Sequence, residues 1–401
     1  MPELSQAGKR RKASARERLK KGRLRRNTAG KSPIGLDEAK LLLLPLLGSA
    51  RRALLAVSGG PDSVALMRLS TLVAKAERMA ALEVATVDHG LRENSRAEAE
   101  EVGAWARDCG LAHAVLSWEG RKPSTRIQER ARAARYTLLH ARMRESGATI
   151  LITAHTLDDQ AETVLMRIAH GSGIAGLAGM RPLSEQNGLI HARPFLSVPK
   201  GRLVATCHAN GWPFVEDPSN ENSRFARARW RKLAPVLEKE GLSAARLAKL
   251  AERAASFEEA LESKTEAAFA AVCIEERADG LVLDMERMVR REPREVALRL
   301  LLRAVTVSGG GERSAPIRLE RAENLLKVLC EAFSTRKPLK RTLGGALLAY
   351  DGAERLFLRR EAARRRGGKR EGGDSKPALP ARVRDASPAN QSNSIALSAL
   401  V

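Results

Sequence analysis

Residues 53–63 read Ala-Leu-Leu-Ala-Val-Ser-Gly-Gly-Pro-Asp-Ser. The stretch from Ala53 to Ser58 is short, apolar and closed by two glycines, the pattern of a buried strand that stops at a tight turn. Past the turn, Ser63 to Glu77 carries apolar residues at three- and four-residue spacing, which predicts an amphipathic helix. Two glycines remove side chains, so backbone amides can face an anion while the helix N-terminus adds partial positive charge. Ser58 and Ser63 supply hydroxyls, and Asp62 is placed to hold a magnesium ion against phosphates. Ser58, Gly59, Gly60, Pro61, Asp62 and Ser63 therefore read as a phosphate cradle. The competing reading is a plain strand-to-helix turn with Ser or Asp as its cap.

The same alternation continues outward. Candidate strands Leu82 to Asp88, Ala112 to Leu116 and Thr149 to Thr153 are separated by helical stretches Ser95 to Cys109 and Thr125 to Glu145. Strands alternating with helices predict an α/β domain with a doubly wound, Rossmann-like parallel sheet, whose ligands sit beyond the carboxyl ends of the strands. Two motifs stand at such ends. Val87-Asp88-His89-Gly90-Leu91-Arg92 follows the second strand and puts an acid, an imidazole and a guanidinium at the ligand edge, although a local Asp-His-Gly turn is equally consistent. Ala154 to Thr163 follows the fourth, and on the helix it opens Asp158 and Glu162 lie four apart, so their carboxylates can converge on a cation, although acids in a first helical turn also simply complement the helix dipole. His155 and Asp158 then share an edge with Ser58 and Asp88. Gly30-Lys31-Ser32 imitates a Walker A loop, but Arg25 stands where the first glycine is required and no strand precedes it.

Charge divides the 401 residues further. The net charge is +23, which favours a phosphate-rich partner such as nucleic acid. Residues 1–31 hold twelve Lys and Arg against two Glu, and residues 359–401 hold ten against four acids, leaving +7 for the body. Neither end shows apolar periodicity, so residues 1–35 and 361–401 are expected to be disordered basic tails. Glu3 and Glu17 argue against an Arg-rich transit peptide. Between the tails, residues 36–240 read as the catalytic α/β domain. Residues 241–360 read as a smaller, mostly helical domain with one strand at Gly280 to Asp284 and a closing hairpin, Thr342 to Leu358, that turns at Asp351-Gly352.

The longest uncharged apolar run, Leu41 to Leu47, is far short of the roughly 20 residues that span a bilayer. With no apolar leader near Met1, a cytoplasmic location is expected. Cys109, Cys207, Cys273 and Cys330 are scattered without metal-ligand spacing. Arg126, Arg130, Arg132 and Arg135 crowd one predicted helix. The turn Asp217-Pro218-Ser219-Asn220 precedes Arg224, Arg227, Arg229 and Arg231 with Phe225 and Trp230 interleaved. That mixture suits phosphates and exposed bases, as it also suits a solvated basic helix with two aromatic anchors.

Taken together these motifs resemble the tRNA(Ile)-lysidine synthases of the PP-loop ATP pyrophosphatase family. The resemblance rests on SGGPDS at 58–63, VDHGLR at 87–92, QERARAARY at 128–136, TAHTLDDQAETVLMR at 153–167, GSGIAGLAGM at 171–180, RPFL at 193–196, and DPSN at 217–220 followed by FARARWR. It is strong over residues 50–240. Two positions depart from the family pattern: Thr156 stands where many members have a second histidine, and His170 where an arginine usually precedes GSG.

The resemblance implies ATP as substrate with Mg²⁺, free L-lysine, and an isoleucine tRNA with a CAU anticodon. ATP would adenylate the C2 oxygen of the wobble cytidine, and lysine would then displace AMP to leave lysidine. It further implies roles for Asp62 at the diphosphate, Asp158 or Asp159 at the lysine ammonium, Asp88 or His89 beside adenosine, and Arg132 or Arg135 at the α-phosphate. Asp158, Asp159 and His155 are all candidates to accept the lysine proton, and Arg224, Arg227, Arg229 and Arg231 are candidate tRNA contacts. A sulfur-transferring PP-loop tRNA thiolase is the enzymatic alternative, against which the isolated cysteines speak. A non-catalytic RNA-binding protein would leave the intact loop and both Asp62 and Asp158 without a purpose. Monomer and homodimer are both compatible with the sequence.

Overall fold

The computed structural model describes residues 32–361 except 80, 92–93, 121, 124, 126, 187, 217–225, 278–279 and 310–316. Residues 1–31 and 362–401 of the expected tails, residues 217–220, Arg92, Arg126, Arg224 and the side chain of Arg227 lie outside the described residues. Residues 32–35, expected as tail, are described, with Ile34 buried and its amide donating to Thr206 Oγ1 at 2.8 Å. The chain forms two compact units, divided between Glu258 and Glu259.

The first unit opens with helix α1 (Leu36–Gly48) and strand β1 (Arg52–Ala56), and continues through α2 (Pro61–Ala76), β2 (Ala81–Asp88), α3 (Ser95–Asp108), β3 (Ala112–Ser117), α4 (Ile127–Ser146) and β4 (Ile150–Thr153). Next come α5 (Leu157–Ala169), the single turn α6 (Ile174–Leu177), β5 (Leu183–Gln186), β6 (Leu189–Ala192), α7 (Lys200–Ala209), α8 (Ala226–Lys239) and the start of α9 (Ala244–Val272). The sheet order is β3-β2-β1-β4-β6-β5. Every pairing is parallel except that of β5 with β6.

Alternation along β1 explains the two-sided core. Ala53 and Leu55 pack with Val64, Leu66, Met67 and Val102 from α2 and α3. Leu54 and Ala56 point the other way, against Leu139 and Met143 of α4. With both faces covered, the strands read as nearly continuous apolar runs. The doubly wound sheet is as expected. Beyond the four expected strands the sheet gains β5 and β6, which apolar spacing does not predict. A four-residue strand is too short to register a period when its residues are mixed, as in Leu189-Ile190-His191-Ala192.

The limit between the units falls inside α9, whereas the domain limit expected after residue 240 falls in the turn before it. Leu247 and Ala251 of α9 pack on Ala161 and Val164 of α5, which ties the start of that helix to the first unit.

The second unit holds the rest of α9, β7 (Cys273–Arg277), β8 (Gly280–Asp284), a π-helical turn (Arg287–Arg291), α10 (Arg294–Ser308), α11 (Leu319–Ser334), β9 (Leu339–Leu343), β10 (Ala346–Tyr350) and β11 (Arg355–Arg360). Its helices cover a five-stranded antiparallel sheet, order β7-β8-β11-β10-β9. The expected strand at Gly280–Asp284 and the hairpin turning at Asp351-Gly352 are both present. There Asp351 Oδ1 accepts from the amides of Ala353 (2.8 Å) and Arg355 (3.1 Å). Among the described residues no helix is long and apolar enough to cross a membrane.

Candidate active site

The loop after β1 is built by its two glycines for different reasons. Gly59 has φ of +89°, and a Cβ there would meet Val102 at 3.3 Å and Val215 at 3.4 Å. Only glycine adopts that backbone in that space without strain. Gly60 caps α2 with no side-chain cap, and a Cβ on it would project into open space. Ser63 Oγ accepts from the Ser58 amide (3.1 Å) and donates to Gly60 O (2.9 Å), which fastens the turn from within. Pro61 at the first helical position completes an open, positively polarised helix start, the form an anion site takes.

Asp62 is held over this loop in an unusual state. Its Oδ2 is 3.3 Å from Lys200 Nζ, while its buried Oδ1 has no hydrogen-bond partner. Burial pushes its pKa up to about 6, Lys200 opposes the rise, and Asp159 and Asp158 add to it. An orphaned buried carboxylate oxygen beside an open anion cradle fits a magnesium ion, which Asp62 would hold and which would offset phosphate charge at the loop. Among the described residues no group of three or more His, Cys, Asp or Glu forms a metal cage by itself, so Asp62 would serve as a single protein ligand.

At the start of α5 the two aspartates do different work. Thr156 and Asp159 form a capping box: Asp159 Oδ2 accepts from the Thr156 amide and hydroxyl, both at 2.9 Å. Asp158 reaches outward instead, and its Oδ2 accepts from the Lys200 amide at 2.7 Å. Asp158 and Glu162, four apart on α5, engage different partners, Asp158 the first turn of α7 and Glu162 the guanidinium of Arg231. The carboxylate that shares a partner with buried Glu162 is Asp159: Arg231 Nε lies 2.5 Å from Glu162 Oε1, and Arg231 Nη2 lies 3.9 Å from Asp159 Oδ1. Asp62, Asp158, Asp159 and Glu162 thus gather around Lys200 and Arg231, an excess of acid suited to a cationic ligand.

Of the other expected site residues, Asp88 ends β2 and His89 and His155 follow β2 and β4 at the carboxyl edge of the sheet, whereas Arg132 stands on α4 and Arg229 and Arg231 on α8. Asp88 Oδ1 accepts from the Gly90 amide (2.8 Å) and Ser95 Oγ (2.7 Å), so both the turn and the edge position hold. Burial raises the Asp88 pKa, but the bonds from Ser95 and Gly90 outweigh it and the net shift is downward. His89 is edge-on to Trp118, and burial, with Arg135 next in weight, lowers its pKa. Arg132 lies over the Tyr136 ring at 5.1 Å and is exposed. His155 Nδ1 is 2.8 Å from Thr153 Oγ1. Arg229 is exposed, whereas Arg231 is turned into the carboxylate group rather than outward.

Sequence reasoning missed Lys200 entirely, since Pro199-Lys200-Gly201 carries no motif. Its position follows from the turn after β6, which is tied to α5 by Leu157 N donating to Val198 O at 2.9 Å. Replacing Lys200 with Met should raise the Asp62 pKa further and move the acid limb of kcat/KM for ATP to higher pH. A pH–rate profile whose acid limb does not move would detach Lys200 from Asp62.

The family model and the curated relatives agree on one family. The PP-loop domain matches residues 37–237. A tRNA(Ile)-lysidine synthase of Methylobacterium sp. (strain 4-46) is 51% identical over 339 residues, covering 83% of this chain and 97% of that protein. The tRNA(Ile)-lysidine synthase of Bradyrhizobium diazoefficiens is 42% identical over 359 residues, covering 85% and 98%. Among solved structures, a U34-tRNA thiolase from Methanococcus maripaludis is similar at 17% identity and a TM-score of 0.47, covering 54% of this chain and 78% of that one.

Proposed function

Because this chain belongs to the tRNA(Ile)-lysidine synthase family and carries its PP-loop domain, we infer that it is the ATP-dependent ligase that joins free L-lysine to C2 of the wobble cytidine in the CAU anticodon of tRNA(Ile). AMP and diphosphate are the other products, and the modified base reads A in place of G. The observation that carries this reading at the level of residues is the meeting of the 58–63 loop with the acidic group of Asp62, Asp158, Asp159 and Glu162.

The loop and the N-terminus of α2 take the diphosphate end of ATP, and Asp62 faces it. Magnesium, when bound through Asp62, supplies charge neutralisation on the phosphates. The C2 oxygen of cytidine forms the bond to the α-phosphorus as diphosphate leaves. Lysine then has to be held by its far end so that its ε-amine reaches C2. Arg231 offers a guanidinium to the lysine carboxylate, and Glu162 with Asp159 offers carboxylates to its α-ammonium. Asp88 and His89 flank the adenosine side of the edge, and Arg135 or Arg132 neutralises the α-phosphate. The ε-amine, with a free pKa near 10.4, must lose a proton before it attacks. The setting for this chemistry is the cytoplasm, where ATP, lysine and tRNA meet.

Purified full-length protein given ATP, labelled lysine and the cognate tRNA transcript should transfer label to the tRNA. Folded protein that transfers none would overturn the reading, and sulfur incorporation would favour the thiolase. The basic end adds affinity without choosing the substrate. Deleting residues 1–31, which carry a net +10, should weaken tRNA binding and flatten its dependence on log salt. Binding unchanged across salt concentrations would exclude that role.

A further inference from the structure

Beneath the edge of β4 and β6 runs a chain of polar side chains that the reaction scheme does not use. Arg193 Nη2 lies 2.8 Å from His191 Nδ1, His191 Nε2 lies 2.8 Å from Thr153 Oγ1, and Thr153 Oγ1 lies 2.8 Å from His155 Nδ1. His191 and Thr153 are buried, at 8% and 2% exposure. Arg193 is itself anchored, with Nη1 donating to Arg181 O (2.8 Å) and Ser184 Oγ (3.1 Å). No earlier step explains why a buried strand pair spends four polar side chains on one line.

Donors and acceptors in this line are not interchangeable. A guanidinium has no acceptor, so His191 Nδ1 has to accept. Neutral His191 then carries its proton on Nε2 and donates it to Thr153 Oγ1. Burial, followed by the charge of Arg193, pushes the His191 pKa down to about 2, so it is neutral throughout the working range. Among the described residues the Thr153 hydroxyl meets only these two rings, so its buried proton is satisfied only by pointing at His155 Nδ1. His155 therefore accepts at Nδ1, and its own proton sits on Nε2.

We propose that Arg193, His191 and Thr153 are positioning residues that set the tautomer of His155, so that His155 enters the reaction as an Nε2–H donor to a nucleotide oxygen and not as the base for lysine. This rests on the site reading above and deepens it. Fixed donors aimed at an oxygen that gains charge during adenylation stabilise that step without reorganisation. In the second step the lysine nitrogen forms its bond to C2, and the C2–O bond to AMP breaks with its electron pair leaving on AMP. The nitrogen's proton goes to Asp158, the carboxylate of the group that neither magnesium nor the lysine α-ammonium engages. Thr153 binds both imidazoles by one oxygen, which is why a residue of β4 that touches no ligand governs one that does.

The test reads the tautomer directly. Long-range proton–nitrogen correlation spectra of full-length protein labelled with ¹⁵N-histidine, at pH 7.5 without ligands, should show His155 Nδ1 unprotonated and Nε2 protonated. Assignment comes from the signal lost in His155→Gln. Protonation at Nδ1, or an imidazolium, would overturn the proposal. Thr153→Val should give mixed tautomers and slow lysine transfer by about tenfold or more, and Thr153→Ser should restore both. A tautomer unmoved by Thr153→Val would also overturn it.

Kinetics give an independent check. His155→Gln keeps an N–H near the Nε2 position and should retain turnover within about tenfold, while His155→Ala should not. If His155 were the base, His155→Gln would lose about 10²–10⁴-fold. A wild-type protein that shows the tautomer but transfers no lysine would refute the functional reading alone.

Discussion

Asp62→Ala is expected to cut tRNA-dependent diphosphate release by about 10²–10³-fold, the scale of removing one preorganised electrostatic group, while tRNA affinity stays within a few-fold. Asp62 faces the loop that takes the diphosphate, and its Oδ1 has no partner within the described protein. Near-normal turnover in this variant would refute its role. The same residue should show a conflict between activity and stability. Its folded pKa of about 6 lies above the ordinary 3.8, so the folded state binds the proton more tightly than the unfolded one. The stability from that protonated form is fully present below about pH 4 and is lost as pH rises through about 6.

At neutral pH the ionised carboxylate is therefore a burden, on the order of 2–3 kcal/mol at 1.36 kcal/mol per pKa unit. Asp62→Asn should be inactive yet melt at a higher temperature than wild type at pH 7.5, with the gap closing toward pH 4. Equal melting temperatures at both pH values would show that the site carries no such strain.

The second large effect is expected at the pair formed by Arg231 and Glu162. Glu162 is 7% exposed at its side chain and Arg231 is 34% exposed. Arg231→Ala removes the guanidinium from a buried carboxylate and should cost about 2 kcal/mol of stability, less than the roughly 3–5 kcal/mol of a fully buried pair. Glu162→Gln keeps the shape and removes the charge. It should raise KM for lysine by about 10–100-fold, with KM for ATP nearly unchanged. The double variant should recover part of the stability lost in Arg231→Ala but none of the lysine affinity, a coupling that a thermodynamic cycle measures. Lysine KM that stays at the wild-type value in Glu162→Gln would remove this pair from the amino acid site.

Much of this architecture is legible before folding. Four strands of the first sheet and the helices between them follow from apolar spacing, because a strand covered on both faces and an amphipathic helix leave different periods in the chain. The anion loop is legible because glycine is the residue type its backbone demands, as Gly59 at φ +89° shows. The acidic start of α5 is legible too, although the sequence could not divide its labour. Asp158 and Glu162 share a helix face by spacing, but spacing says nothing about which neighbour arrives first, and the first turn of α7 took Asp158. Arg231 presented the opposite difficulty. In a run of arginines it resembled a surface contact, and only its approach to Glu162 moved it into the site.

Residue order therefore specifies the local chemistry: a phosphate-binding loop, the carboxylates that follow β4, and a chain basic enough to favour RNA. Tertiary structure alone decided the partners. Lys200 meets Asp62, Arg231 meets Glu162, and Arg193 reaches His155 through His191 and Thr153. Each of these contacts joins residues on different strands, turns or helices. The physical reason is that pKa, tautomer and charge balance depend on what lies within a few ångströms in space, and periodicity along the chain encodes only which face a residue turns to its own neighbours.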